Sequence, residues 1–337
     1  MTFAQKLILT FIILALLMRV PIFLVRYFDP DEFEHLHAAR NIYHGMVPYR
    51  DYFEHHTPFL HFLLAPLYFI WGDSIPLIFV ARGIMLIFTC GILYLTYRLT
   101  KMLYGCDAAL FATLFLSCTL IFLEKTIEVR PDLPEVIFWL LTIIFLIRGV
   151  SNNQRRYFLL AGAMMSCAIL CSQKAVFAGL GLALALVWFL CDKRTGWPLK
   201  TRAVGCLWIG AGFLIPVGVM CLYFLPNRAL DDFIYRNFIM NLGWRSKFWP
   251  YGYIRQALKQ NPFFCVSGLA GLLIATYQSR HKTEISRGSF APVVSTYMLI
   301  GGLFLMPVPD RQYYLLFIPL LAMYAGRTLA TITKYPA

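Results

Sequence analysis

Residues 29–58 read DPDEFEHLHAARNIYHGMVPYRDYFEHHTP. This is the one sizeable polar island in the first 120 residues, with six acidic residues (Asp29, Asp31, Glu32, Glu34, Asp51, Glu54), five of the seven histidines and two arginines. Asp29-Pro30-Asp31-Glu32 is a helix start: an aspartate cap, proline at the first helical position and acidic groups in the first turn. Gly45 supplies a stop, so the reading predicts a helix over 30–44. A spacing of four puts Asp31 and His35 on one face of it. Favourable placement at the helix dipole, about 0.3–1 kcal/mol per carboxylate, would account for Asp31 and Glu32. It does not account for the second cluster at Glu54, His55 and His56.

Outside the island the chain turns apolar. Hydrophobic residues make up 59%, charged residues 14%, and mean hydropathy is +0.65. A soluble domain is roughly half apolar and about a quarter charged. Repeated apolar runs of about 17–25 residues make this an all-α polytopic membrane protein. The runs fall at 4–25, 75–97, 108–123, 134–147, 157–172, 175–190, 203–225, 262–277, 292–306 and 313–331, about ten spans. The stretch 59–71 is apolar but short, and reads as a re-entrant or interfacial helix. Lys6 followed by a long apolar run with no small-x-small site predicts an uncleaved first span. The nine cysteines lie in or beside apolar segments and none in the island, so neither a disulfide framework nor a cysteine metal site is expected. The net charge of +13 is too dispersed for nucleic acid and suits lipid headgroups and phosphate-bearing substrates.

Charge orients the spans. With the N-terminus cytoplasmic, the tight loops 148–156, 193–202 and 280–287 are basic and fall inside. The polar island is then extracytoplasmic, with juxtamembrane helices. The same face receives 124–132 (EKTIEVRPD), Lys174 in a tight turn, the late loop at about 226–261 and 307–314 (PVPDRQYY). Carboxylates thus face cations across one end of a membrane core, as a transferase with a lipid-phosphate substrate requires. No glycine-rich phosphate loop is present. Transfer needs a carboxylate to take the acceptor's proton and cations to hold the departing phosphate.

The run PDEFEHLHAARNIYHGMVPYRDYFEHHTPFLHFLLAP resembles the first outer loop of GT-C membrane glycosyltransferases of the family 39/83 type. These include protein mannosyltransferases, lipid A aminoarabinose transferases and rhizobial-type sugar transferases. EVRPDLP, SQKAVF and RQYYLLFIPLLA are similar to further patches of one bacterial subgroup. The resemblance implies a single transmembrane glycosyltransferase domain over 1–337, with a catalytic first outer loop at about 29–60. It implies a bacterial inner-membrane location, a periplasmic active site, a polyprenyl-phosphate sugar donor and an extracytoplasmic acceptor. The large soluble C-terminal domain of some relatives is not expected here.

On that resemblance Asp31 is the expected catalytic base and Glu32 its acidic partner. Asp29 competes for the role but is better explained as the helix cap. His35 and His37 are placed to tune Asp31 or to bind a metal; hydrogen bonding within their own loop is the alternative. Glu54, His55 and His56 match a family motif and are expected at the substrate. Arg130 and Asp132 are expected substrate contacts; an ion pair and helix start at the Pro131/Pro134 turn is the alternative. Lys174, Arg311 and Tyr313 are expected near the lipid phosphate, although Lys174 at a span end could snorkel. Arg19 and Arg82 lie within apolar spans, where charge is costly and often functional. Metal dependence is open: Asp31, Glu32 and His55 are the candidate ligands, and their types suit Mg²⁺, Mn²⁺ or Zn²⁺.

A transporter or flippase of a lipid-linked or anionic solute is the competing reading. It predicts polar groups at the midplane and paired broken helices. The polar groups here gather at one face, and no repeat is visible. A lipid-linked glycan polymerase shares the donor chemistry, and a scaffold without activity does not explain the intact acidic and basic patches.

Overall fold

The computed structural model describes residues 2–191, 197–243, 250–281, 289–305 and 311–334. Of the loops named above, residues 193–196, 244–249, 282–287 and 307–310 and the side chain of Arg280 lie outside the described residues. The first span is α1 (Phe3–Leu17) with α2 (Arg19–Val25). The island holds α3 (Pro30–Tyr43), and α4 (Phe59–Leu64) and α5 (Leu67–Trp71) follow it. Next come α6 (Ile75–Tyr104), α7 (Cys106–Cys118), α8 (Leu120–Lys125), α9 (Asp132–Asn152), α10 (Arg155–Cys171), α11 (Ala175–Cys191) and α12 (Leu199–Phe224). The late loop folds into α13 (Leu230–Ile234), a π-helical turn Tyr235–Ile239, α14 (Met240–Gly243) and α15 (Pro250–Gln260). Then come α16 (Pro262–His281), α17 (Phe290–Leu305), a 3-10 turn Arg311–Leu316 and α18 (Ile318–Lys334). Among the described residues the one β-type contact is an isolated bridge between Pro48 and Tyr52.

Five of the described helical stretches are long and apolar enough to cross a membrane: Phe3–Val25, Ile75–Tyr104, Asp132–Asn152, Leu199–Phe224 and Pro262–Ser279. Shorter apolar helices include Phe59–Trp71, Cys106–Cys118, Ala175–Cys191 and Phe290–Leu305. The apolar window of Asp132–Asn152 is 72% buried and that of Phe3–Val25 is 11% buried, so α9 is central and α1 peripheral. Lipid gives apolar helices no hydrophobic reason to associate, so close packing must hold them together. Glycine supplies it. A Cβ on Gly162 of α10 would lie 1.9 Å from the Ile209 carbonyl oxygen of α12, and one on Gly212 would lie 1.9 Å from the Leu159 oxygen. Gly326 of α18 meets the Ala108 oxygen of α7 in the same way, at 2.3 Å.

The expected span 108–123 is broken at Thr119, which takes extended backbone angles between α7 and α8. The Thr119 hydroxyl donates to the Phe115 carbonyl at 2.7 Å, and the Arg19 guanidinium donates to the Ser117 carbonyl at 3.1 Å. Both contacts occupy acceptors at the end of α7. Arg19 also bonds the Ala15 carbonyl at 3.0 Å and lies over the Phe122 ring. This intramembrane cation therefore serves the helix break.

Candidate active site

The start of α3 has the predicted chemistry. Asp29 caps it by accepting from the Asp31 amide at 3.1 Å, and the Glu32 side chain returns the bond to the Asp29 amide at 2.9 Å. Gly45, with φ +81°, follows the helix end. The two adjacent carboxylates then part. Glu32 is fully buried, with Arg82 Nε at 2.8 Å on Oε1 and Arg82 Nη2 at 2.6 Å on Oε2. Its Oε1 also accepts the Val129 amide at 3.1 Å. Arg82 gathers the Phe23 and Tyr27 carbonyls at 3.1 and 3.0 Å and lies over the Phe28 ring. A buried bidentate pair with every remaining bond made is the form in which such charges are tolerated. Glu32 thus ties α3 to α6 and to the loop before α9, with its oxygens already engaged. Glu32 is expected from sequence as acidic partner or metal ligand; the structure places its oxygens on Arg82 and on the Val129 and Asp29 amides.

Asp31 sits one position earlier with its side chain 43% exposed, and it accepts from Arg130 Nη2 at 2.7 Å. Arg130 is the hub of a buried network. It contacts Glu128 at 3.0 Å, Asp132 at 3.4 Å and Asp29 at 3.8 Å. Burial would lower its pKa, but Asp132, Asp31 and Glu128 outweigh that and raise it. Glu128 is shared with Arg26 and with Lys125. Asp132 also pairs with Lys174, whose ammonium lies 4.1 Å from the Tyr313 ring centroid. Burial opposes the Lys174 charge, yet Asp132 and Tyr313 hold its pKa above the ordinary value.

The second acidic-histidine cluster closes onto the same place. Tyr49, left-handed at φ +72°, is buried among Val47, Phe224 and Phe233 and donates to the His56 carbonyl at 2.7 Å. Gln173 and Asn241 both donate to the His55 carbonyl at 3.0 Å. The loop is thereby fastened to the α10–α11 turn and to α14. Buried Glu54 accepts the amides of His55 and His56 at 2.8 Å each and approaches His56 Nδ1 at 3.1 Å. Burial pushes its pKa up, but His61 and the His56 hydrogen bonds prevail and hold it at about 2. Burial and neighbouring His56 bring His55 down to about 4. His35 Nδ1 meets His61 Nε2 at 3.0 Å, and burial keeps its pKa well below the usual value.

These pieces line one cavity of about 500 Å³. Of the residues expected at the site, Asp31, His35, His55, His56, Arg130, Asp132, Lys174 and Tyr313 face it. Glu54 lies behind His55 and His56, against His56 Nδ1. Arg311 is elsewhere: it pairs with Glu124 at 3.4 Å and lines a separate apolar cavity of about 250 Å³. His37 is not among the cavity residues and meets Asn41 at 3.2 Å, one turn on along α3. Sequence reasoning passed over Glu34, which lines the cavity beside His55 and His56. Its signal was its place three residues after Asp31 on the same helix. Burial raises its pKa, and His56 opposes that rise. Gln173, Asn237, Asn241 and Gln312 also line the cavity, and no local pattern marks them. Glu34, Glu54, His55 and His56 offer one ligand atom each within 4.8 Å of one another. Of the expected metal ligands, His55 is in that set.

Apolar helices surround a one-sided polar cavity, with an acidic helix start in the first loop. Residues 55–219 match the model of the dolichyl-phosphate-mannose-protein mannosyltransferase family. The chain is similar to ArnT from Cupriavidus metallidurans bound to undecaprenyl phosphate, at 17% identity and TM-score 0.74, covering 97% of this chain and 60% of that one. It is also similar to the Archaeoglobus fulgidus oligosaccharyltransferase AglB in complex with an inhibitory peptide and a dolichol-phosphate, at 14% identity and TM-score 0.64, covering 99% and 51%. The same archaeal enzyme in complex with Zn and sulfate matches with TM-score 0.64 at 14% identity, covering 96% and 49%. At these identities the likeness is one of fold, and the chain spans about half to three-fifths of those proteins. No curated protein sequence matches it.

Proposed function

We propose that this protein transfers a single sugar, a hexosyl or pentosyl group, from a polyprenyl-phosphate donor to an extracytoplasmic lipid, glycan or protein. The reaction would take place at the periplasmic face of a bacterial inner membrane. One observation carries the reading: the 3-10 turn Arg311–Leu316 separates two cavities of opposite character. Gln312 and Tyr313 line the polar cavity, while Arg311 and Tyr314 line the apolar one. An amphipathic lipid phosphate fits that junction, with its hydrocarbon on the apolar side and its sugar among the polar groups. The neighbours bound to undecaprenyl phosphate and dolichol-phosphate support the donor class.

In this reading Asp31 takes the acceptor hydroxyl's proton as the hydroxyl oxygen bonds to the sugar's anomeric carbon. The bond from that carbon to the phosphate oxygen breaks, and the lipid phosphate leaves with the electron pair. General-base help of this kind is worth roughly 10²–10⁴-fold. Arg130 Nη2 orients Asp31 at 2.7 Å. Glu32 acts through Arg82 and the helix start, as a positioning residue. Lys174 and Arg311 stabilise the departing phosphate, an electrostatic contribution that is commonly the larger one. His35, Glu54, His55, His56, Asp132 and Tyr313 shape the sugar side.

Binding of undecaprenyl phosphate to the purified protein in detergent tests this. Lys174→Ala and Arg311→Ala are each expected to weaken it about tenfold, or roughly 1.4 kcal/mol. Wild-type affinity in both variants would overturn the placement of the phosphate.

A further inference from the structure

We infer that Glu34, Glu54, His55 and His56 form a binding site for a tetrahedral divalent cation, zinc by its geometry, in the wall of the polar cavity. The spacing of the donor atoms carries the inference. His55 Nδ1 lies 3.4 Å from Glu34 Oε1, His56 Nδ1 lies 3.6 Å from the same oxygen, and His56 Nδ1 lies 3.1 Å from Glu54 Oε1. Zinc bonds to nitrogen and oxygen at about 2.0–2.1 Å, which sets neighbouring tetrahedral donors about 3.3 Å apart. Hydrogen bonding is a poorer account of this arrangement. It explains the His56–Glu54 contact, but the two approaches to Glu34 exceed the usual range of about 2.7–3.2 Å. Donor separations of 3.1–3.6 Å are instead those of ligands arranged around one ion.

The donor set points the same way. Two imidazoles with two carboxylates suit zinc, whereas calcium and magnesium prefer oxygen shells of six or more ligands. The ligands are held before any ion arrives. Glu54 accepts two backbone amides at 2.8 Å, and the His55 carbonyl takes one amide each from Gln173 and Asn241 at 3.0 Å. Outer bonds of this kind are characteristic of metal sites. Glu54 forms the back of the site, and Glu34, His55 and His56 form its cavity side. Asp31 stays outside it, engaged by Arg130 at 2.7 Å. A bound divalent ion would supply positive charge in the cavity where Arg130 and Lys174 are already paired with carboxylates. The use of that charge in transfer rests on the function proposed above; occupancy of the site does not.

Metal content and affinity are therefore measured without substrate. Protein stripped with a chelator is titrated with zinc by calorimetry, metal per chain is read by mass spectrometry, and cobalt is substituted for its visible spectrum. The expected result is one zinc per chain and the intense absorption of tetrahedral cobalt. Glu34→Gln and His56→Ala should each weaken binding at least tenfold, while Asp31→Asn binds as wild type does. Glu34 is half-exposed, so its variant tests the site with little risk to folding. No uptake by wild type, uptake unchanged in Glu34→Gln, or octahedral cobalt would overturn the inference. Failed transfer with zinc bound would remove the proposed function and leave the site standing; transfer without zinc uptake would do the reverse.

Discussion

Asp31 and Glu32 are adjacent carboxylates with opposite surroundings, and the difference decides what each can do. Glu32 is sealed against Arg82 with both oxygens engaged, while Asp31 keeps one edge to the cavity and the other on Arg130. Removing one partner of a buried pair leaves an uncompensated charge and costs about 3–5 kcal/mol, more than replacing both. Arg82→Gln should therefore lower thermal stability in detergent sharply, and Arg82→Met combined with Glu32→Gln should recover part of the loss. A double variant as unstable as the sum of the single changes would contradict the pairing account. Sequence could mark Arg82 as a costly intramembrane charge. It could not show Arg82 meeting Glu32, because that contact spans 50 residues.

At the scale of elements, packing depends on where glycine lies. Gly162 and Gly212 let α10 and α12 approach backbone to backbone, whereas nothing lies within 4 Å of a Cβ built on Gly210 of α12. Gly162→Ala should destabilise by roughly 1–3 kcal/mol through overpacking. Gly210→Ala should be neutral or stabilise by up to about 1 kcal/mol through helix propensity. Melting temperatures of the two variants in the same detergent check this; equal shifts would contradict it. The α3 boundaries were legible because its cap, its proline and Gly45 are local signals. The break at Thr119 was not, because Arg19 reaches the Ser117 carbonyl from another helix. The late loop read as loop because α13, α14 and the π-turn are too short to show periodicity.

Across the whole molecule, the polar site is assembled from α3, the Glu54–His56 loop, the start of α9, the α10–α11 turn, the π-turn and the 3-10 turn. Charged patches revealed most of these segments, since charge stands out in an apolar chain. The amides from Gln173, Asn237, Asn241 and Gln312 carry no such mark. Arg311 shows the limit of reading patches: it stands beside Gln312 and Tyr313 in sequence, yet it faces the apolar cavity rather than the polar one. The most direct test is mass spectrometry of envelope glycans and lipid-linked precursors in cells lacking this gene, complemented by wild type or by Asp31→Asn. The account predicts that one sugar disappears from one acceptor and returns with wild type alone, although the variant is made and inserted. Restoration by Asp31→Asn would contradict Asp31 as the base. Unchanged glycans with a lipid-linked precursor accumulating on the inner leaflet would contradict glycosyl transfer and make the protein a flippase.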